Sequence, residues 1–144
     1  MCAFGSLDLP AGSRLYFVHV DQYHHSIILI CFPVDSLTRQ LKERFGFATF
    51  RPGQEAVIRA VLAGRDAMAV MPTGQGKSLC YQLPATLLPG LTLVISPLIA
   101  LMQDQVTAMK QRKIAAAAFH SSLTGIEKNR VTQELKERRL QLLY

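Results

Sequence analysis

Tryptophan is absent from the 144 residues, cysteine occurs three times, and the 10 Asp and Glu are outnumbered by 16 Lys and Arg. Cys2, Cys31 and Cys80 stand far apart with no metal-ligand spacing. That excludes a disulfide framework and a zinc knuckle, and an odd, unpatterned set suits a reducing compartment. Long apolar runs are also missing. The best, Ile27 to Phe32, is far shorter than the ~20 residues of a membrane-crossing helix. The N-terminus lacks the basic start and cleavage pattern of a secretory signal. The expectation is an intracellular chain, in a bacterial cytoplasm and nucleoid or in a nucleus, with no membrane partner. No repeat or low-complexity segment appears, Ala115 to Ala118 being too short to count.

What is present describes a folded domain. A hydrophobic content of 49% with 18% charged residues excludes disorder. The length suits one domain, able to hide roughly two-thirds of its unfolded surface. The formal net charge is +6, and it is uneven: residues 1–34 hold one Arg and two Asp, so residues 35–144 carry +7. Such a balance favours polyanionic partners.

The N-terminal stretch reads as two strands, Leu15–Val18 and Ile27–Phe32, with Tyr23-His24-His25 near a turn. The two histidines have no third ligand beside them and read as solvated loop residues. Asp35 caps a helix with an apolar stripe at Leu37, Leu41 and Phe45, closed by Gly46. Pro52 opens a second helix through Leu62, with Gly64 behind it. Ala67–Val70 reads as a short buried strand. Past it, Leu79–Leu83 continues as a helix that Pro84 should kink or end. Thr92–Ser96 is another buried strand. From Pro97 a helix follows with apolar Leu98, Leu101, Met102, Val106 and Met109, and a basic end at Lys110–Lys113. Ile114–Phe119 is a strand, and Thr124 with Glu127 forms a capping box for a helix to about Arg139. Leu140–Tyr144 begins one more strand. Strands alternating with helices imply an α/β fold, a parallel sheet with helices on both faces.

Between the strand at Ala67 and the helix at Leu79 lies Met71-Pro72-Thr73-Gly74-Gln75-Gly76-Lys77-Ser78. Strand, glycine-rich turn, Gly-Lys-Ser, helix is the layout of a phosphate-binding loop. Glycines let successive backbone N–H groups turn inward on phosphate oxygens, and the helix start adds its positive dipole end. Lys77 would reach the β- and γ-phosphates and the Ser78 hydroxyl would hold Mg²⁺. Met71 stands where the strict pattern has glycine. A Gly-Lys-Ser loop without a ligand is the plainer alternative, and the flanking strand and helix weigh against it.

Two more stretches complete a pattern. Leu41-x3-Phe45-Gly46-x3-Phe50-Arg51-x2-Gln54 lies upstream of the loop, and Ser96-Pro97-Leu98-Ile99-Ala100-Leu101-Met102-Gln103-Asp104-Gln105 lies downstream. With the loop and Leu79–Ala85 between them, residues 37–144 resemble the first part of a RecQ-type DNA helicase, of the second helicase superfamily. The resemblance implies a RecA-like P-loop NTPase domain, truncated, at residues 35–144, with its nucleotide motif at 41–54, its P-loop at 71–78 and its DNA-side motif at 96–105. It implies ATP and Mg²⁺ as cofactors and ATP-driven DNA unwinding, 3′ to 5′ in the family, on single-stranded or junction DNA. By match, Gln54 pairs with the adenine edge, with Arg51 and the aromatic near Phe45 beside the ring. Thr73, Gly74, Gln75, Gly76, Lys77 and Ser78 hold the phosphates and metal. Ser96 and Gln103, and less specifically His120 and Ser121, fall where the family contacts the DNA strand. Residue chemistry alone leaves Phe45 and Phe50 as core and Arg51 as a surface charge.

Departures accompany the match. Gln75 replaces a glycine usual in the family. The Asp-Glu-Ala-His motif expected just after the last strand is not in the sequence. Nor are the second motor domain with its arginine finger and the zinc-binding and winged-helix parts. Residues 1–34 resemble nothing in the family and read as a leader of unknown role. The expectation for this chain alone is nucleotide binding without complete hydrolysis. The alternative is a stand-alone nucleotide- or nucleic-acid-binding module without motor activity. A small P-loop kinase is disfavoured, since it has no use for the upstream motif.

Overall fold

The computed structural model describes residues 17–19 and 37–144. The expectations for Tyr23–His25, Ile27–Phe32 and the Asp35 cap lie outside those residues, as does the start of the strand expected from Leu15. Nine elements follow in chain order: β1 (Phe17–His19), α1 (Leu37–Phe45), α2 (Gln54–Leu62), α3 (Leu79–Leu87), β2 (Thr92–Ile95), α4 (Ile99–Gln111), β3 (Ala116–Ala117), α5 (Gly125–Lys136) and β4 (Leu142–Leu143). The strands form one sheet in the order β1-β2-β4-β3, and each neighbouring pair is parallel. Parallel neighbours need crossovers, and α4 and α5 supply them on the way from β2 to β3 and from β3 to β4. The α/β reading of the sequence is therefore correct.

The apolar periodicity of the sequence becomes the core. Leu37, Leu41 and Phe45 are all buried on α1, and Gly46, at φ +77°, turns the chain out of that helix. On α2, Ile58, Val61 and Leu62 face the same interior as Leu83 of α3, Val94 of β2, Met109 of α4 and Leu142 of β4. A smaller cluster, Ala117, Val131 and Leu140, packs α5 beneath the far side of the sheet.

Four expectations need correction. Ala67–Val70 is not a strand of the sheet; only Ala67 makes an isolated bridge. Both places beside β2 are taken, by β1 and by β4, so the segment does not pair there. The segment still alternates, with Ala69 at 7% exposure and its neighbours Met68 and Val70 at 64% and 75%. Pro84 does not interrupt α3, which runs through it to Leu87. Pro84 is fully buried, and Leu79 to Thr86 are buried without a break. Burial of every side of the helix outweighs one missing N–H. Leu98 is not core: it precedes α4 in extended conformation and is 61% exposed. Last, α5 stops at Lys136, and Arg138 takes φ +53° behind it. The remaining strands are shorter than read. Backbone bonds from Phe119 to Tyr144 (2.6 Å) and from Tyr144 to Ala117 (2.9 Å) extend the β3–β4 contact past its formal ends.

Candidate functional site

The loop at residues 71–78 sits ahead of α3, whose first turn it closes. Gly74 and Gly76 adopt φ +83° and +76°, left-handed conformations that side chains resist. Leu79 N–H donates to Gly76 O at 3.1 Å and Cys80 N–H to Lys77 O at 3.0 Å, so the turn flows into the helix. Among the described residues, no acceptor takes the N–H groups of Gly74, Gly76, Lys77 or Ser78. Lys77 Nζ donates to Met71 O at 2.8 Å, folding the ammonium across the loop it is expected to serve. Ser78 precedes α3 and its hydroxyl makes no capping bond to the helix.

The upstream motif grips this loop from beneath. Gln54 is 3% exposed, at the start of α2. Its Nε2 donates to Gln75 O at 3.2 Å and to Gly76 O at 3.0 Å, while its Oε1 accepts the Arg51 N–H at 2.8 Å. Arg51 Nη1 donates to Gly74 O at 2.5 Å. The fit leaves no room: a Cβ on Gly76 would stand 2.7 Å from Gln54 Nε2. Both hydrogens of the Gln54 amide thus hold the loop, and pairing with an adenine edge requires one of those bonds to be exchanged. Phe45 lies in the core, 7% exposed, with the Arg112 guanidinium 5.7 Å from its ring centroid. Phe47, 48% exposed, is the open aromatic of this region. Thr73 is exposed on the loop.

On the downstream side, Ser96 follows β2 and its Oγ accepts the Leu98 N–H at 3.3 Å, ordering the entry to α4. Gln103 on α4 meets His120 after β3, Nε2 to Nε2, at 2.9 Å. Two residues singled out separately in the sequence are therefore one contact. His120 Nδ1 is buried without a partner among the described residues. Ser121 O accepts from Lys128 Nζ at 3.4 Å, and Thr124 with Glu127 completes the capping box beside it. That cap holds the Glu127 carboxyl below its ordinary range, chiefly through the Thr124 backbone N–H and then its hydroxyl.

A family model described as "DEAD/DEAH box helicase" matches residues 51–144. The chain belongs to the DEAD/DEAH box helicase family. Within that family its likeness is to RecQ proteins. It is 48% identical over 109 residues to the ATP-dependent DNA helicase RecQ of Synechocystis sp., covering 76% of this chain and 23% of that protein. It is 53% identical over 104 residues to the RecQ of Haemophilus influenzae, covering 72% and 17%. To the probable ATP-dependent DNA helicase RecS of Bacillus subtilis it is 45% identical over 100 residues, covering 69% and 20%. The chain spans about a fifth of the length of these curated relatives.

The helicase-family match covers the loop, the Gln54 contact and the Gln103–His120 contact together. Reading the sequence did not find the partner of Lys77, since a backbone carbonyl carries no signature. It also passed over Gln82, whose signal was present: an amide inside the apolar run Leu79–Leu83 has to find a buried partner. Burial in the same helix pushes the Cys80 thiol up to about 11, against a weaker opposing backbone hydrogen bond. Cys80 is therefore a protonated packing residue at neutral pH, not a nucleophile.

Proposed function

We propose that this chain is the ATP-binding portion of a RecQ-like DNA helicase motor. The observation that carries it is the loop itself, with the N–H groups of Gly74, Gly76, Lys77 and Ser78 unpaired among the described residues, Lys77 folded across it, and Gln54 and Arg51 holding Gly74, Gln75 and Gly76 in place. These residues fit ATP and Mg²⁺. Lys77 would exchange the Met71 carbonyl for the β/γ-phosphates, and the Ser78 hydroxyl, which makes no capping bond to α3, would hold the metal. The metal would supply charge neutralisation at the phosphates. Residues 35–144 act as this portion, and Phe17–His19 adds a strand beside β2 to its sheet. Ser96, Gln103, His120 and Ser121 form the side that meets a DNA strand, single-stranded or at a junction, and the +7 charge of residues 35–144 supports that reading. In the complete motor the site works as part of ATP-driven unwinding.

Alone, the chain binds ATP without hydrolysing it at a useful rate. Its five glutamates are engaged locally: Glu43 with Arg39, Glu55 with Arg59, Glu134 with Arg130, Glu137 with Arg139, and Glu127 in its cap. Asp104 is on the exposed side of α4. Positioning and charge stabilisation are nearly all of phosphoryl transfer, and an arginine finger alone is worth ~10³–10⁵ in rate. A phosphate-release assay with and without single-stranded DNA tests this. Background release is expected in both. DNA-stimulated release that disappears in Lys77→Ala would overturn the inactive reading.

A further inference from the structure

Gln82 is a buried polar group that the phosphate loop does not explain. It is 6% exposed in the apolar run of α3. Its backbone N–H donates to Ser78 O at 2.9 Å, so one helical turn ties it to the serine that closes the loop. Its side-chain amide donates to Gln105 Oε1 on α4 at 2.6 Å and to the Tyr144 hydroxyl at 3.3 Å. Tyr144 in turn meets Tyr81 edge-on, with ring centroids 6.2 Å apart. Two residues before Gln105, on the same helix, Gln103 makes the contact with His120. Contacts therefore run without a gap from Ser78 through Gln82 to α4 and on to the loop after β3.

The chemistry makes this link stiff. A leucine would fill the space of Gln82 without a desolvation cost. An amide there is favourable only while its partners stay in place, because an unpaired amide in the core is penalised. A movement of α3 that broke the Gln82–Gln105 bond would cost the buried Gln82 amide its shorter partner, so α4 is favoured to move with it. Hydrogen bonds in such low-dielectric surroundings also strengthen one another.

We propose that Gln82 is a positioning residue which, through Gln105, couples occupancy of the phosphate loop to the placement of α4, so that nucleotide changes the affinity for single-stranded DNA. This rests on the reading of residues 71–78 as the ATP site and of α4 as the DNA side. Coupling of this kind is reciprocal: DNA changes nucleotide affinity by the same factor.

The test is anisotropy of a labelled oligothymidylate, with and without a saturating non-hydrolysable ATP analogue and Mg²⁺. It is run on the full chain as wild type, Gln82→Leu, Gln105→Leu and the double variant. Calorimetry of the analogue alone runs in parallel. In wild type the analogue is expected to change the oligonucleotide Kd about fivefold or more, the lower end of ordinary coupling. In each single variant that ratio falls close to one while affinity for the analogue alone holds, and the double variant adds nothing further. A role confined to packing would lower the melting temperature and leave the ratio unchanged, which overturns the proposal. Gln105 is only half-buried, so its variant decides the matter where Gln82→Leu does not fold. A wild-type ratio of one also overturns the coupling. If that wild type still binds the analogue, the ATP-site reading stands; if it does not, that reading falls with it.

Discussion

At the residue scale the proposed site depends on two kinds of group: backbone N–H groups left unpaired among the described residues at Gly74, Gly76, Lys77 and Ser78, and the side chains of Gln54 and Arg51 that hold the turn. Gly76 combines both demands, with φ +76° and no space for a Cβ beside Gln54 Nε2. Gly76→Ala should therefore weaken ATP binding by about 1–2 kcal/mol, the ordinary cost of a left-handed residue, with added displacement of Gln54. Calorimetry reads this, and an unchanged affinity would show that the loop rearranges freely. Much of this scale was legible in advance. The turn at Gly74 and Gly76 follows from the glycine spacing, and both take positive φ as a tight turn requires. The target of Gln54 was not legible. A glutamine amide suits an adenine edge and a loop carbonyl equally well, and only the fold shows that Gln75 O and Gly76 O lie within 3.2 and 3.0 Å.

At the scale of elements, caps and periodicity translated directly into structure. The stripe Leu37–Leu41–Phe45 and the Thr124–Glu127 box both formed as read, because each depends on residues within a turn or two. Thr124→Ala should cost roughly 1 kcal/mol, as lost N-caps do, measured as a lower urea midpoint. Glu127 sets the sign of the acid response. Its folded carboxyl titrates below the unfolded one, so its contribution is present above the unfolded pKa and fades as pH falls through the folded pKa. At the alkaline end the sign reverses for α3. Burial raises Cys80 from 9.0 to about 11 and also raises Tyr81 and Tyr144. From pH 9 upward the unfolded chain loses protons that the folded chain keeps, so stability should fall. Melting temperatures between pH 8 and 11 check it; a flat profile would contradict the burial of this group. What sequence could not give here was pairing. Ala67–Val70 has the composition of a buried strand, yet the places beside β2 go to β1 and β4, and which segments pair is a property of the whole sheet.

At the scale of the whole molecule, the proposed nucleic-acid partner rests on the surplus of positive charge. Residues 35–144 carry +7, and of the residues assigned to the strand side, Ser96, Gln103, His120 and Ser121, none is a lysine or arginine. Each phosphate neutralised on a single strand steepens the salt dependence by roughly 0.7, so about three contacts would give a log–log slope near 2. Filter binding across a salt series should return such a shallow slope. Tight binding that survives high salt would instead point to a dedicated DNA-binding surface. The central claim is that residues 71–78 form an ATP site, and Lys77 tests it most directly. Calorimetric titration of ATP with Mg²⁺ into wild type should show saturable binding, and Lys77→Ala should lose roughly 2–5 kcal/mol, the cost of stripping one partner from a buried charge pair. Equal affinity in the two proteins would contradict it.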